Sequence, residues 1–495
     1  MIHRIALRFA ALAACVYLAP AVGQELLIEH VTVISAERPQ PLADSNVLVR
    51  DGRIVSVSTQ TPAISPKTVR LDGTGKFLTP GLMDSHVHVS EVPGINFGPN
   101  AQLEPLRAAY FRQQPRSYLY FGVTQLLDPA NRPEEIATFR AQPEHPDLFR
   151  CGAAPVLNGY PAVFAPVPVR YRLMPDYIFE PANKDALPKG ADPAAHTPEA
   201  VVARIAASGA LCVKIFIEDG FADASIWPIL SPATIRRVRD AAHQRGLILM
   251  AHANALDMQR IAIEAQVDVL AHGLWNWTHV KDISGVPEPI ATHLRKVHEL
   301  KIGWQPTMRV MAGTQELFVP GTLDNPEYRK VVPKALLDWY RTDAGQWFKQ
   351  EMRKEYGGAP DEKIARGQWE AEEMGMRATR YLYELGHPLL LGSDTPSAPT
   401  YGNQPGYDTY REMQLMAKAG IPLKGIFEAA TINNARQFRL DKDYGTVEPH
   451  KIANLLLLDA NPLENLDAFN RIDKIILRGK VLARADLAAD AAKQE

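Results

Sequence analysis

The sequence predicts an α/β fold: a (β/α)8 barrel carrying a small β-sandwich built from both chain ends. Three observations point there. Strand-like alternation appears at the two ends of the 495-residue chain and contrasts with the middle. The middle alternates short apolar runs with amphipathic helical stretches, the pattern of a parallel sheet with helices outside. Its length favours a closed barrel over an open sheet, and no repeat or linker divides it.

Residues 1–23 are basic at Arg4 and Arg8, apolar from Phe9 to Val22, and end on the small residues Ala21 and Gly23. This pattern predicts a signal peptide cleaved before Gln24, hence a periplasmic or secreted protein. The apolar run is short for a transmembrane span. A lipid anchor at Cys15, after Leu12-Ala13-Ala14, is the alternative. Leu27–Ile34 and Ser45–Val49 then read as strands, with a hairpin turn at Asp51-Gly52-Arg53 and a return over Ile54–Val57. Ala453–Asp459 and Asp473–Val481 match them at the other end. Residues 24–76 and 441–485 are therefore assigned to the sandwich and 77–440 to the barrel.

One barrel unit is explicit. Leu211–Phe216 is a strand, Ser231-Pro232 caps a helix, Ile235, Val238 and Ala242 mark its apolar face, and Gly246 ends it. Leu247–His252 is the next strand, followed by a helix over 258–265 and a strand over Val267–His272. Two stretches, Pro155–His196 and Val310–Gln368, exceed ordinary connections and read as lids or substrate walls.

The candidate chemistry begins at Pro80-Gly81-Leu82-Met83-Asp84-Ser85-His86-Val87-His88. Histidines two apart on a strand face the same way, as a divalent-metal site requires. Chance alone gives roughly 0.4 such pairs for 14 histidines in 495 residues, so the spacing needs support. Position supplies it. Lys214, His252, His272 and Asp394 each close a further apolar run, and strand ends meet on the catalytic rim of a barrel. A protonated lysine repels cations. Lys214 carboxylated by carbon dioxide would instead be an anion able to bridge two ions.

These motifs, with Gly392-Ser393-Asp394 and the closing strands, resemble the amidohydrolase superfamily, in particular imidazolonepropionase-like and prolidase-like members. The resemblance implies two divalent ions, zinc foremost. His86, His88 and Asp394 would hold one ion and His252 and His272 the other, with Lys214 as N6-carboxylysine shared by both. It also implies hydrolysis of an amide or peptide C–N bond by a metal-bridging hydroxide, with Asp394 as general base and then acid. A dipeptidase is one such activity; an esterase, lactonase or cyclic-amide hydrolase would use the same site. His450-Lys451-Ile452-Ala453-Asn454-Leu455 departs from the relatives' usual Gly-Lys-x-Ala-Asp-Leu, outside the chemistry. A non-catalytic binding protein on a decayed barrel should have lost one of the six groups, and all six are present.

Composition narrows the partners. A net charge of −2 offers no basic surplus for nucleic acid or anionic lipid. Three cysteines, none in a CxxC pair, give neither a disulfide framework nor a thiolate zinc site. Cys151 and Cys212 read as buried thiols on neighbouring strands, although an exported protein could pair them. The partner expected is a small amide or short peptide. Trp275 and Trp277, next to His272, are candidate walls for an apolar group. Tyr160, Arg170 and Arg309 are candidates for a substrate carboxylate.

Overall fold

The computed structural model describes residues 25–491, apart from 97–99, 222–224, 281, 283 and 398. The expected signal peptide and Cys15 lie outside the described residues. Strands are numbered in chain order.

Strands β1 (Leu26–Val33), β2 (Leu42–Arg50), β3 (Arg53–Ser58), β4 (Val69–Asp72) and β5 (Phe77–Pro80) join β13 (Leu455–Leu458), β14 (Ile472–Leu477) and β15 (Lys480–Ala483). They are hydrogen-bonded in the order β15-β14-β13-β5-β1-β2-β3, with β4 on β1. The expected sandwich is thus one continuous mixed sheet containing strands from both chain ends. Asp51 and Gly52 both have positive φ, as do Arg478 and Gly479, which suits the two-residue hairpins β2–β3 and β14–β15. Ile28, Val33, Val47, Leu78, Leu455 and Ile476 pack into the core of this unit. β5 lies within this sheet too, between β1 and β13.

One residue, Gly81, separates β5 from the second sheet. A Cβ there would stand 1.9 Å from Thr124 Oγ1, so the close approach of β7 requires glycine. The second sheet runs in chain order: β6 (Leu82–Asp84), β7 (Val123–Asp128), β8 (Asp147–Ala153), β9 (Cys212–Phe216), β10 (Ile248–His252), β11 (Val269–Leu270) and β12 (Gly303–Trp304). All pairs are parallel. β7, β9 and β10 are buried at every residue, as expected of strands covered on both faces. The segment 389–395 then touches both outer strands. Leu390 N donates to Trp304 O (3.0 Å) on one side, and Ser85 N donates to Leu391 O (3.0 Å) on the other.

Between the strands, Ser231 Oγ accepts from Thr234 N and caps the helix Pro232–His243, as the sequence indicates. The excursion after β12 holds several helices, ending in the 24-residue helix Asp361–Glu384.

Cys151 and Cys212 are register partners on β8 and β9, with Cα atoms 4.3 Å apart, and form a disulfide. This corrects the expectation of two free thiols: neighbouring positions that point inward together bring the sulfurs into bonding range. The bond closes a loop of 61 residues. In the chain-entropy account such a loop contributes about 4 kcal/mol. The Cys151→Ala/Cys212→Ala double variant is therefore expected to lose about 2–4 kcal/mol in denaturant unfolding.

Candidate metal centre

The HxH strand is aimed by what lies beneath it. Asp84, fully buried, accepts from Ser393 Oγ (2.6 Å), Ser393 N (3.0 Å), Thr409 Oγ1 (2.6 Å) and the His86 backbone N (3.1 Å). One carboxylate thereby ties β6, the Asp394 turn and the helix Tyr407–Lys418 together. Burial raises this carboxyl to about 6, against the pull of its four donors. Asp394 N donates to His86 O (2.8 Å), and Asp394 has φ 57°, an uncommon left-handed conformation for a non-glycine residue.

Three side chains converge above. His86 Nε2 lies 3.0 Å and His88 Nε2 2.9 Å from the same oxygen, Asp394 Oδ1. His272 Nδ1 is 3.8 Å from Asp394 Oδ2. Ligand atoms of His86, His272 and Asp394 all fall within 4.8 Å of one another. The His252 and His272 ring centroids are 4.4 Å apart, and those of His86 and His272 5.0 Å. Lys214 is 2% exposed, with its Nζ 5.7 Å from the Phe216 ring centroid, and it feels the charges of Asp394 and Asp128.

The hydrogen-bond arithmetic of His86 calls for a cation. Gln305 Nε2 donates to Ser85 O and Ser85 Oγ (both 2.7 Å), which turns its Oε1 toward His86 Nδ1 at 3.1 Å. His86 thus faces an acceptor at each nitrogen. Burial pushes the imidazole down to about 4, so it is neutral and has one N–H to offer. With that N–H on Gln305, the Nε2 lone pair meets the Asp394 lone pair, an arrangement a bound divalent ion satisfies. The donor set therefore fits a metal. Gln305→Leu frees the ring and is expected to weaken divalent-metal retention about 10- to 100-fold, measured as metal content after graded chelation.

The buried groups shift one another strongly. Burial would raise Asp394, but the surrounding imidazoles of His86, His88 and His272 hold it well below the usual carboxylate range. Burial would lower His88, but Asp394 raises it to about 9. His252 and His272 are pushed down, chiefly by burial, which keeps their lone pairs free. Burial also lowers Lys214 to about 7, so much of its amine is neutral near that pH.

The remaining candidates divide. Tyr160 stands at the centre, its ring 4.6 Å from that of His252. Trp275 lies 5.1 Å from His272 and donates to Pro306 O. Trp277 is 1% exposed and donates to Leu274 O, so it is core rather than substrate wall. Arg309 is corrected as well. It is fully buried, bound by Glu316 (3.0 Å) and Asp408 (3.1 Å), and its charge is already neutralised. Arg170 hydrogen-bonds to Asn158 Oδ1, Val163 O and Ala165 O within its own loop, which leaves a substrate carboxylate little of its guanidinium.

Sequence reasoning missed the residues that orient the ligands. Besides Gln305, Thr307 Oγ1 lies 3.0 Å from His272 Nδ1, and the buried Glu218 lies 3.4 Å from His252 Nε2. Glu218 had a signal: Lys214, Phe216 and Glu218 alternate on one face as β9 runs toward the site.

Comparison with known proteins follows the same line. The amidohydrolase family matches residues 359–482. A local stretch is 43% identical over 44 residues to an adenine deaminase of Moorella thermoacetica, covering 9% of this chain and 7% of that one. Another is 25% identical over 68 residues to an L-hydantoinase of Paenarthrobacter aurescens, 14% of each chain. These matches span only a small part of the curated relatives. Among solved structures, a candidate prolidase from Bifidobacterium longum has TM-score 0.63 at 23% identity over 93% of this chain and 95% of that one. An ochratoxinase of A. niger has TM-score 0.64 at 18% identity, over 96% and 99%. Identities this low show a common fold. The family match over residues 359–482 and the fold shared over nearly the whole length support the amidohydrolase superfamily for this chain.

Proposed function

We propose that this protein is an exported hydrolase that cleaves the C–N bond of a small amide or short peptide at a two-metal centre. The observation that carries the reading is the double approach of His86 and His88 to one oxygen of Asp394, inside a buried group of further histidines. His86, His88 and Asp394 would hold one ion, His252 and His272 the second, and Lys214, as its carbamate, would bridge them. A pair of divalent ions, zinc first, would supply Lewis acidity toward the amide carbonyl and a water acidic enough to attack near neutral pH. Asp394 takes the proton of the attacking water and passes it to the departing nitrogen.

Relatives named as a hydantoinase, a candidate prolidase and, at TM-score 0.63, an Xaa-Pro dipeptidase support C–N bonds as the target. We also infer that the segment at 389–391 is an eighth strand closing the parallel sheet into a (β/α)8 barrel, since it bonds to both edges. Export rests on residues 1–23, and the Cys151–Cys212 pair suits an oxidising compartment. No helix of the described residues is long and apolar enough to cross a membrane.

The test is hydrolysis of dipeptides, N-acyl amino acids and hydantoins by zinc-loaded mature protein. Turnover that disappears on chelation and returns with zinc is expected. Metal-replete protein that leaves every amide intact would overturn the reading, and cleavage of esters alone would move it to an esterase. N-terminal sequencing of the periplasmic fraction should begin at Gln24.

A further inference from the structure

Beside the histidines lies an aromatic cluster that the hydrolytic chemistry does not use. Tyr160, the ring next to His252, also meets Phe216 (centroids 5.8 Å), Phe221 (5.6 Å), Phe164 (6.0 Å) and Trp227 (6.0 Å, stacked). Phe164, Phe221 and Trp227 close on one another at 5.2–6.3 Å. The rings come from two different connections, one after β8 and one after β9, so the fold brings them together at the strand ends that carry Lys214 and His252. The outer members are open: Phe164 is 55% and Phe221 48% exposed. The same two connections also carry Val167, 69% exposed, and Ile226, 74% exposed. An aromatic cluster that starts on His252 and opens to solvent at Phe164 and Phe221 marks a ligand surface.

We propose that this aromatic wall is the substrate's side-chain site and takes a phenyl-sized or larger apolar group of the amide. This rests on the hydrolase reading, and it fixes the substrate class: amides with a bulky apolar substituent, not small polar ones. The rings meet edge-on and stacked within the cluster and offer a further ring the same contacts.

Calorimetric titration of zinc-loaded protein with N-acetylphenylalanine amide and N-acetylalanine amide tests this, with hydrolysis of both followed in parallel. The phenyl compound is expected to bind at least ~10-fold more tightly, the scale of burying an aromatic side chain. Phe164→Ser and Phe221→Ser together should shrink that ratio below ~3-fold. Both rings are half exposed, so an unchanged melting temperature is expected and separates this effect from misfolding. Equal affinities for the two compounds, or a preference that survives the double substitution, would overturn the proposal. Preferential binding without cleavage of either amide would retain the wall and count instead against the hydrolytic assignment.

Discussion

Asp394→Asn is expected to lower kcat on amide substrates by about 10³-fold or more, near the upper range for losing a general acid–base group. The amide is nearly isosteric but cannot accept a proton, and it places either its oxygen or its NH2 where one carboxylate oxygen now meets two imidazoles, 2.9 and 3.0 Å away. His88, raised to about 9 by this carboxylate, should fall back once the charge is gone. Metal analysis separates the two proposed roles of the side chain. Lost turnover with the ions retained assigns the effect to proton transfer; lost turnover with the ions gone assigns it to ligation. Activity within tenfold of wild type would contradict both.

Arg309→Met is expected to destabilise the fold by about 3–5 kcal/mol, the cost of stripping one partner from a buried ion pair. Methionine fills much of the volume but leaves Asp408 without its ion-pair partner and Glu316 with Arg411 alone, at 3.2 Å. Burial already raises Asp408 to about 7 with the arginine beside it. Without Arg309 it rises further, so the folded state holds a proton that the unfolded chain releases. The sign is then fixed: the added penalty grows as pH increases above about 7. Urea unfolding of both proteins at pH 6 and pH 9 checks it. A gap that narrows at the higher pH would refute the assignment of Arg309 to a structural ion pair.

These two residues mark how far the sequence could be read. The placement of Asp394 was legible because it stands at a regular place, the end of an apolar run, as do Lys214, His252 and His272. Strand ends converge whatever the loops do. Arg309 was misread because it stands just past such an end, where the chain has already turned into the helix Arg309–Gln315 and its partners come from distant positions. Gln305 and Thr307 were hidden for another reason. A neutral amide or hydroxyl that orients a ligand has no pattern of its own. The aromatic wall was invisible because Tyr160 and Trp227 are neighbours only after two irregular connections have folded. The disulfide is a register effect: Cys151 and Cys212 pair because β8 and β9 align them, which depends on both strand positions at once.

The placement of β5 has a consequence for biogenesis. This strand leads through a single glycine into the strand before the HxH motif, yet one of its two neighbours, β13, comes from the far end of the chain. A ribosome therefore finishes nearly all of the polypeptide before that edge can be zipped up. Until then, the first histidines hang from a half-made seam.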